Sequence, residues 1–163
     1  MTSTTELTVK MIARAAGNLH DICHFLKVHS YAKMIGEMEG LDTDTLYILE
    51  SAAIIHDIAC PLCRKKYGNA NGKYQELESE PLVRDILSGS GMTAAQVDRI
   101  VWLVCHHHTI ENIMDIDHRI LLEADYLVNA DEHGWTKENI KNAKKTIFAT
   151  ISGTKLLEAV YGV

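Results

Sequence analysis

The strongest constraint on the fold is the apolar run from Leu46 to Ala59, which stops at Pro61. A helix built on this run is apolar almost all round, and such a helix is stable only when other elements bury it on every side. The run therefore predicts a central helix that the rest of the chain surrounds.

Elsewhere, apolar residues recur every three or four positions, and no stretch has the period-two pattern of a strand. The chain breaks a helical pattern near Gly17 and Asn18, and Ser79-Glu80-Pro81 opens a further helix, since Pro is favoured in a first turn. The remaining helices are expected over residues 94–108, 119–129 and 137–151, with an apolar tail at 156–163 that packs back. The predicted fold class is all-α, a single-domain helical bundle.

Length and charge narrow the class of protein. The 163 residues fit one domain spanning 1–163, and a net charge of −6 without a long basic run disfavours a nucleic acid polymer as partner. No uninterrupted apolar stretch reaches the length of a membrane span, so no membrane is expected. The polar start lacks a signal-peptide core, and the few cysteines lack framework spacing, which together predict a cytoplasmic protein. The apolar tail could support a homodimer.

Histidines and aspartates in apolar surroundings carry the chemical signal. His56-Asp57 lies inside AAIIHDIAC, Asp125 lies inside LLEADYLV, and three consecutive histidines occupy positions 106–108. A buried aspartate is costly unless it is paired or binds a metal, so these residues suit a shared divalent transition metal: Mn, Fe, Ni, Zn or Co. The alternative is a set of structural His–Asp pairs, and His20-Asp21 shows that the dipeptide also occurs without an apolar setting.

At these motifs the chain resembles the HD-domain superfamily of metal-dependent phosphohydrolases. IIHDIA is similar to the family's apolar-His-Asp-Ile-Gly turn, with Ala59 in place of Gly, and Ala124-Asp125 is similar to its distant Asp. The resemblance runs from about residue 22 to 129 and is nearest to small bacterial single-domain HD proteins. It implies a core over about 20–130 with C-terminal helices packed on it, and a small phosphorylated substrate, with a nucleotide favoured.

The resemblance requires a first histidine ligand, for which His20, His24 and His29 compete. The family's first His is followed by an aliphatic residue four positions later and a small one eight positions later, and only His24 has this pattern on one helical face. The predicted metal ligands are therefore His24, His56, Asp57 and Asp125, with His29 as the alternative to His24.

A second metal remains open. The apolar stripe of the helix before the triplet brings His107 and His108 inward and leaves His106 outside. HD subfamilies with two metals use histidines here, and Asp57 would then bridge the ions. Those subfamilies carry another His between the two motifs, whereas this region holds Glu76, Glu78 and Glu80. The expected catalytic residues are Asp57 and, as general acid or base, Glu78 or Glu80, with a spare histidine as the alternative proton donor. A glutamate of this segment could instead ligate the second metal.

Basic residues follow the His-Asp motif. Arg64, Lys66 and Lys73 are the predicted substrate-binding residues, because they could hold phosphate oxygens, although a solvated loop would look the same. Cys60 and Cys63 form one CxxC, interpreted as helix-end packing. Two rival functions share these motifs: a di-iron oxygenase with the same ligands, and a nucleotide-binding signalling module without turnover.

Overall fold

The structure is a computed structural model that describes residues 2–111, 113 and 115–163. Within those residues every regular element is an α-helix, which confirms the all-α class. In chain order the helices are α1 Thr4–Ala15, α2 Leu19–Met38, α3 Thr43–Ile55, α4 Cys60–Tyr67, α5 Gly72–Ile86, α6 Ala94–His106, α7 Ile116–Glu132, α8 Lys137–Thr146 and α9 Ile151–Tyr161. Asn112 and Met114, in the linker expected before α7, lie outside the described residues.

The central helix of the bundle is α3, as its all-round apolarity predicts. Every residue from Ile48 to Ile55 is buried, and the helix contacts α1, α2, α6 and α7. The stretch Thr43–Tyr67 is apolar and long enough to cross a membrane, contrary to the sequence-based expectation, yet 72% of its most apolar window is buried inside the fold. Burial of that extent is typical of a core helix.

The α-helical hydrogen-bond pattern is interrupted at the His-Asp motif, where Ile58 N donates to Ile55 O and Cys60 N to Asp57 O. The prediction of one helix continuing to Ala59 and stopped by Pro61 is wrong: α3 ends at Ile55, residues 56–59 form turns, and Pro61 lies in the first turn of α4. Pro is tolerated in a first turn because its missing N–H would have no helical partner there. Adjacent residues on a helix point about 100° apart. The turn allows His56 and Asp57 to reach one common point.

Two other predicted boundaries are wrong. Pro81 lies inside α5, because the Asn71 side chain caps this helix one residue before it begins at Gly72. The helix expected over 137–151 ends at Thr146, and Thr150 caps a separate helix, α9, in the predicted tail. In both places an N-cap side chain that accepts a backbone N–H sets the boundary.

The packing of α2, α3, α6 and α7 positions the candidate site. Helix α2 lies against both α3 and α7, and α3 also contacts α6. The turn after α3, the C-terminal end of α6 and the second half of α7 thus meet near the N-terminal half of α2.

Candidate metal centre

Four of the predicted ligands converge from three parts of the fold. His24 Nε2 on α2 lies 3.2 Å from Asp125 Oδ1, 3.2 Å from His56 Nε2 and 3.5 Å from Asp57 Oδ2. His56 Nε2 lies 3.6 Å from Asp125 Oδ1 and 3.7 Å from Asp57 Oδ2. Two ligand atoms that share one ion at about 2.1 Å are roughly 3.0–3.5 Å apart, so these separations are close to those around a metal.

A second group of donors meets the first at Asp57. The ligand atoms of Asp57, His107 and His108 lie within 4.8 Å of one another, and His107 Nε2 is 3.6 Å from Asp57 Oδ1. The other oxygen of this carboxylate, Oδ2, faces His24 and His56. Asp57 therefore offers one oxygen to each group, which is the arrangement of a bridging carboxylate.

The outer nitrogens of the three buried histidines are held by acceptors. His56 Nδ1 donates to Ala53 O at 2.8 Å, and His107 Nδ1 donates to Val104 O at 2.7 Å. His24 Nδ1 donates to Glu132 Oε2 at 2.8 Å. A ring whose Nδ1 donates in this way directs Nε2 to the centre of the cluster, as in histidines that bind metals.

One atom tests whether a cation fits. His107 Nε2 is buried and has no hydrogen-bond partner among the described residues. A buried polar atom without a partner costs roughly 1–3 kcal/mol, and most such atoms in folded proteins are satisfied. A metal ion between His107 and Asp57 would satisfy this nitrogen, and imidazole with carboxylate is a donor set typical of Zn²⁺, Mn²⁺, Fe²⁺ or Ni²⁺.

The charges of the cluster also favour a cation. Burial opposes a charge on Asp57, but His56 and His107 lower the pKa of Asp57 well below its usual range. Burial likewise opposes a charged His24, yet the bond to Asp125 and the charge of Asp57 raise the pKa of His24 to about 9. Hydrogen bonds from His24 and His56 likewise lower the pKa of the buried Asp125. The half-buried Asp57 and the buried Asp125 thus stay ionised, and in the absence of metal a proton on His24 partly balances them.

His108 differs from its neighbours. Its ring packs on Gly72, where an added Cβ would come within 2.6 Å of His108 Cδ2. Although part of the residue is exposed, burial and the adjacent His107 lower the pKa of His108 to about 4. His108 is therefore neutral at pH 7, which is the form that binds a metal.

The competing histidines lie elsewhere. His29 Nε2 pairs with Glu50 Oε2 at 2.8 Å, away from the cluster. His106 donates from Nδ1 to Trp102 O and stacks on the Trp102 ring, with centroids 4.4 Å apart. The structure thus places His24 and His107 in the cluster, as helical phase predicts.

Glu78 and Glu80, predicted as general acid or base, do not contact the cluster. Glu78 accepts hydrogen bonds from Lys66 and Tyr67, each at 2.6 Å, and this pairing with Lys66 lowers the pKa of Glu78. Glu80 is exposed and pairs with Arg84. A carboxylate with a lowered pKa is a poor proton donor at neutral pH.

Of the three predicted substrate-binding residues, one lines the pocket at the cluster and two do not. Arg64 lines the pocket at the cluster and pairs with Asp21. Lys66 is occupied by Glu78, and Lys73 is exposed in the first turn of α5, outside the lining of that pocket.

Three residues with contacts at the site were not found from the sequence. Asn129 donates from Nδ2 to Asp125 Oδ1 at 2.8 Å, and Glu132 holds His24. Both follow Asp125 at helical spacing on one face of α7, a signal that was available. Gln75 is buried and lines the pocket, and its Oε1 has no partner among the described residues. No sequence pattern marks Gln75.

Two adjoining pockets open at the cluster. The metal pocket, about 250 Å³, includes His24, Asp57, Arg64 and Gln75 in its lining. The aromatic pocket, about 360 Å³, is lined on its far side by Ile110, Leu122, Tyr126, Trp135 and Ile147. The linings of both pockets contain His108, Asp125, Asn129 and His133.

A comparison with protein-family models matches the HD domain over residues 21–130, two thirds of the chain. The chain belongs to the HD domain family. The matched range contains both groups of metal-binding side chains described above. The resemblance seen in the two sequence motifs is therefore confirmed. Membership of this family implies the superfamily of metal-dependent phosphohydrolases. Searches of curated proteins and of solved structures returned no match. Helices α8 and α9 follow the matched range, and their place in one domain over 1–163 stays a prediction.

Proposed function

We propose that this HD domain is a metal-dependent phosphohydrolase that acts on a small phosphate ester, with a nucleotide as the favoured substrate. The single observation that supports it most is the buried Nε2 of His107, beside the Asp57 carboxylate, which has no hydrogen-bond partner in the described part of the chain. A buried nitrogen without a partner lowers stability, and a cation bound at this nitrogen would remove that cost.

The two donor groups define which residues would hold metal. His24, His56, Asp57 and Asp125 would hold the first ion, and His107 and His108, with Asp57 shared, would hold a second. A divalent ion here supplies a nucleophile at neutral pH by lowering the pKa of a water, and it polarises the phosphoryl group.

The chain's own residues complete the site. Asn129 fixes the Asp125 carboxylate by donating to Oδ1, and Glu132 fixes the ring of His24. The Arg64 guanidinium would bind the anionic oxygens of the substrate in a bidentate manner, exchanging its bond to Asp21 for the phosphate. Gln75 is buried and lines the metal pocket, so its side chain would help to shape the space that the phosphate occupies.

His133 is the proposed proton donor to the leaving group, in place of Glu78 and Glu80. It lines both pockets, at the boundary that a substrate spanning them would cross. Its Nδ1 donates to Asn129 O at 3.0 Å, so the doubly protonated ring would give its Nε2 proton to the ester oxygen.

The test is a panel of phosphate monoesters and diesters, assayed with Mn²⁺, Ni²⁺, Co²⁺, Fe²⁺ and Zn²⁺ under argon. We expect hydrolysis that EDTA abolishes, that Asp57→Asn loses by at least about a hundredfold, and that Asp98→Asn, an exposed carboxylate on α6, retains. Oxygen uptake with two bound irons and no hydrolysis would favour the oxygenase. Tight binding of a nucleotide without turnover would favour the signalling module.

A further inference from the structure

The aromatic pocket continues directly from the metal pocket. His108 and Asp125, which belong to the cluster, line both, and so do Asn129 and His133. A phosphate ester seated at the cluster therefore has beside it an open pocket of ligand size, about 360 Å³, that could receive its leaving group. The position of the phosphate rests on the proposed function, whereas the chemistry of the leaving group is inferred from the pocket alone.

Aromatic rings form part of the lining of this pocket. Tyr126 and Trp135 have ring centroids 4.8 Å apart with their planes tilted by 49°, and the rings of His133 and Trp135 are stacked at 5.7 Å with an angle of 22° between their planes. Trp135 remains 37% exposed. An aromatic side chain that lines a pocket, is held by neighbouring rings and is still partly exposed can offer a stacking surface to a planar ligand.

Most polar side chains of the lining are already engaged. The Tyr126 hydroxyl lies 3.5 Å from Asn139 O, the Asn129 amide donates to Asp125, and His133 Nδ1 donates to Asn129 O. Outside the metal cluster, the groups that stay open in the described lining are the Trp135 indole N–H, the His133 Nε2 acceptor, and the Oδ1 and second amide hydrogen of Asn129. None of them belongs to a buried residue. Discrimination between similar rings requires several buried polar groups that a wrong ring would leave unpaired.

We propose that the aromatic pocket binds the planar ring of the substrate's leaving group by its face, and that it distinguishes rings by area rather than by their edge substituents. The substrate class is then a phosphate monoester with an aromatic leaving group, and two purines that differ only in exocyclic groups bind alike. Stacking of this kind tolerates every base, because each has a π face.

A fluorescence titration tests the pocket without any turnover. The chain has two tryptophans, so Trp102→Phe leaves Trp135 as the sole reporter. Trp102 stacks on His106 and Arg99 and lines neither pocket. The probes are adenosine, guanosine and phenol, with ribose as the matched non-aromatic control, added to the metal-loaded protein. We expect saturable quenching by both purines with dissociation constants within about threefold of each other, weaker quenching by phenol, and none by ribose.

Variants of the wall provide the second measurement, by calorimetry with adenosine. Trp135→Ala should weaken binding at least about fivefold, whereas Trp135→Phe, which keeps a flat face, should stay within about twofold of the parent. With an active enzyme, Trp135→Ala should raise KM for phenyl phosphate and leave KM for glycerol phosphate unchanged.

Three results of the binding measurements would each overturn the proposal: no binding of either purine, a more than tenfold preference between adenosine and guanosine, or equal binding by Trp135→Ala. These outcomes are separable from those of the proposed function, because nucleosides carry no phosphate. Purine binding with no hydrolysis of any ester leaves the pocket assignment standing and removes the enzymatic one. Hydrolysis of glycerol phosphate and phenyl phosphate with equal KM does the reverse.

Discussion

His24 Nδ1 donates a 2.8 Å hydrogen bond to Glu132 Oε2, although 108 residues separate the two in the chain. This pair joins the start of α2 to the end of α7, and it orients the ring whose other nitrogen lies 3.2 Å from Asp125 Oδ1. A carboxylate behind a metal-binding histidine fixes the ring and raises its basicity.

Removal of this carboxylate should weaken the metal site without unfolding the protein. We expect Glu132→Gln to lower metal affinity by about 10- to 100-fold, which a competition titration with a chromophoric chelator measures. The neighbouring, exposed Asp131→Asn is the control and should bind as the parent does. Unchanged affinity in Glu132→Gln would show that the pair does not support the metal.

The pH dependence of the metal-free protein follows from His24. Its pKa rises to about 9 in the fold from an ordinary 6.5, so the stability gained from this proton is complete below about pH 6.5 and is lost as pH rises through 9. We expect the Tm of EDTA-treated protein to fall by several degrees between pH 7 and 9.5. Metal-loaded protein should not show this fall, because the ion replaces the proton. A flat Tm in the metal-free protein over this range would contradict the charge balance described for the cluster.

Gln75 should affect activity more than stability. Its buried Oε1 has no partner among the described residues, whereas its Nε2 donates to Ala70 O at 3.0 Å. Gln75→Met removes the unsatisfied acceptor and this one hydrogen bond together, so Tm should change little, while activity falls because the lining of the metal pocket changes. The matched control is Gln96→Met. Gln96 is a buried glutamine whose side chain completes the capping box of α6 and donates to Asp44, so its loss should lower Tm. If Gln75→Met lowered Tm as much as Gln96→Met, Gln75 would be a structural residue.

The C-terminal helix depends on a buried carboxylate outside the metal site. Glu123 is fully buried and accepts from Ala149 N, Thr150 N and Thr150 Oγ1 at the start of α9. We expect Glu123→Ala to destabilise the fold by about 3 kcal/mol in urea unfolding, because three donors lose their partner. Glu158→Ala, an exposed residue of α9 paired with Lys144, should change stability by less than about 0.5 kcal/mol. Equal effects of the two variants would contradict the role of Glu123.

The period of the apolar residues predicted most of the helices, and helical phase predicted which histidines lie in the cluster. The apolar run before His56 predicted the central helix, and helical phase selected His24 over His29, which pairs instead with Glu50. The prediction failed where a side chain outside the periodic pattern ends or starts a helix, as Asn71 does before α5 and Thr150 does before α9.

The outer residues of the site depend on contacts between distant segments. The partner of Glu132 lies on another helix, and one sequence does not state which helices face each other. Glu78 and Glu80 were favoured because they replace a histidine in sequence order, yet on α5 it is Gln75 that lines the metal pocket. Both glutamates form ion pairs away from the cluster, because Lys66 lies beside Glu78 and Arg84 lies beside Glu80.

The central claim is that the cluster at Asp57 holds a divalent metal, and the most direct test is the metal content of protein purified without chelator. Elemental analysis of the parent should find at least one transition-metal ion per chain. Asp57→Asn should lose most of it, and Asp21→Asn, from the second His-Asp dipeptide, should retain it. A parent without metal, or an Asp57→Asn protein with the full parental content, would contradict the claim.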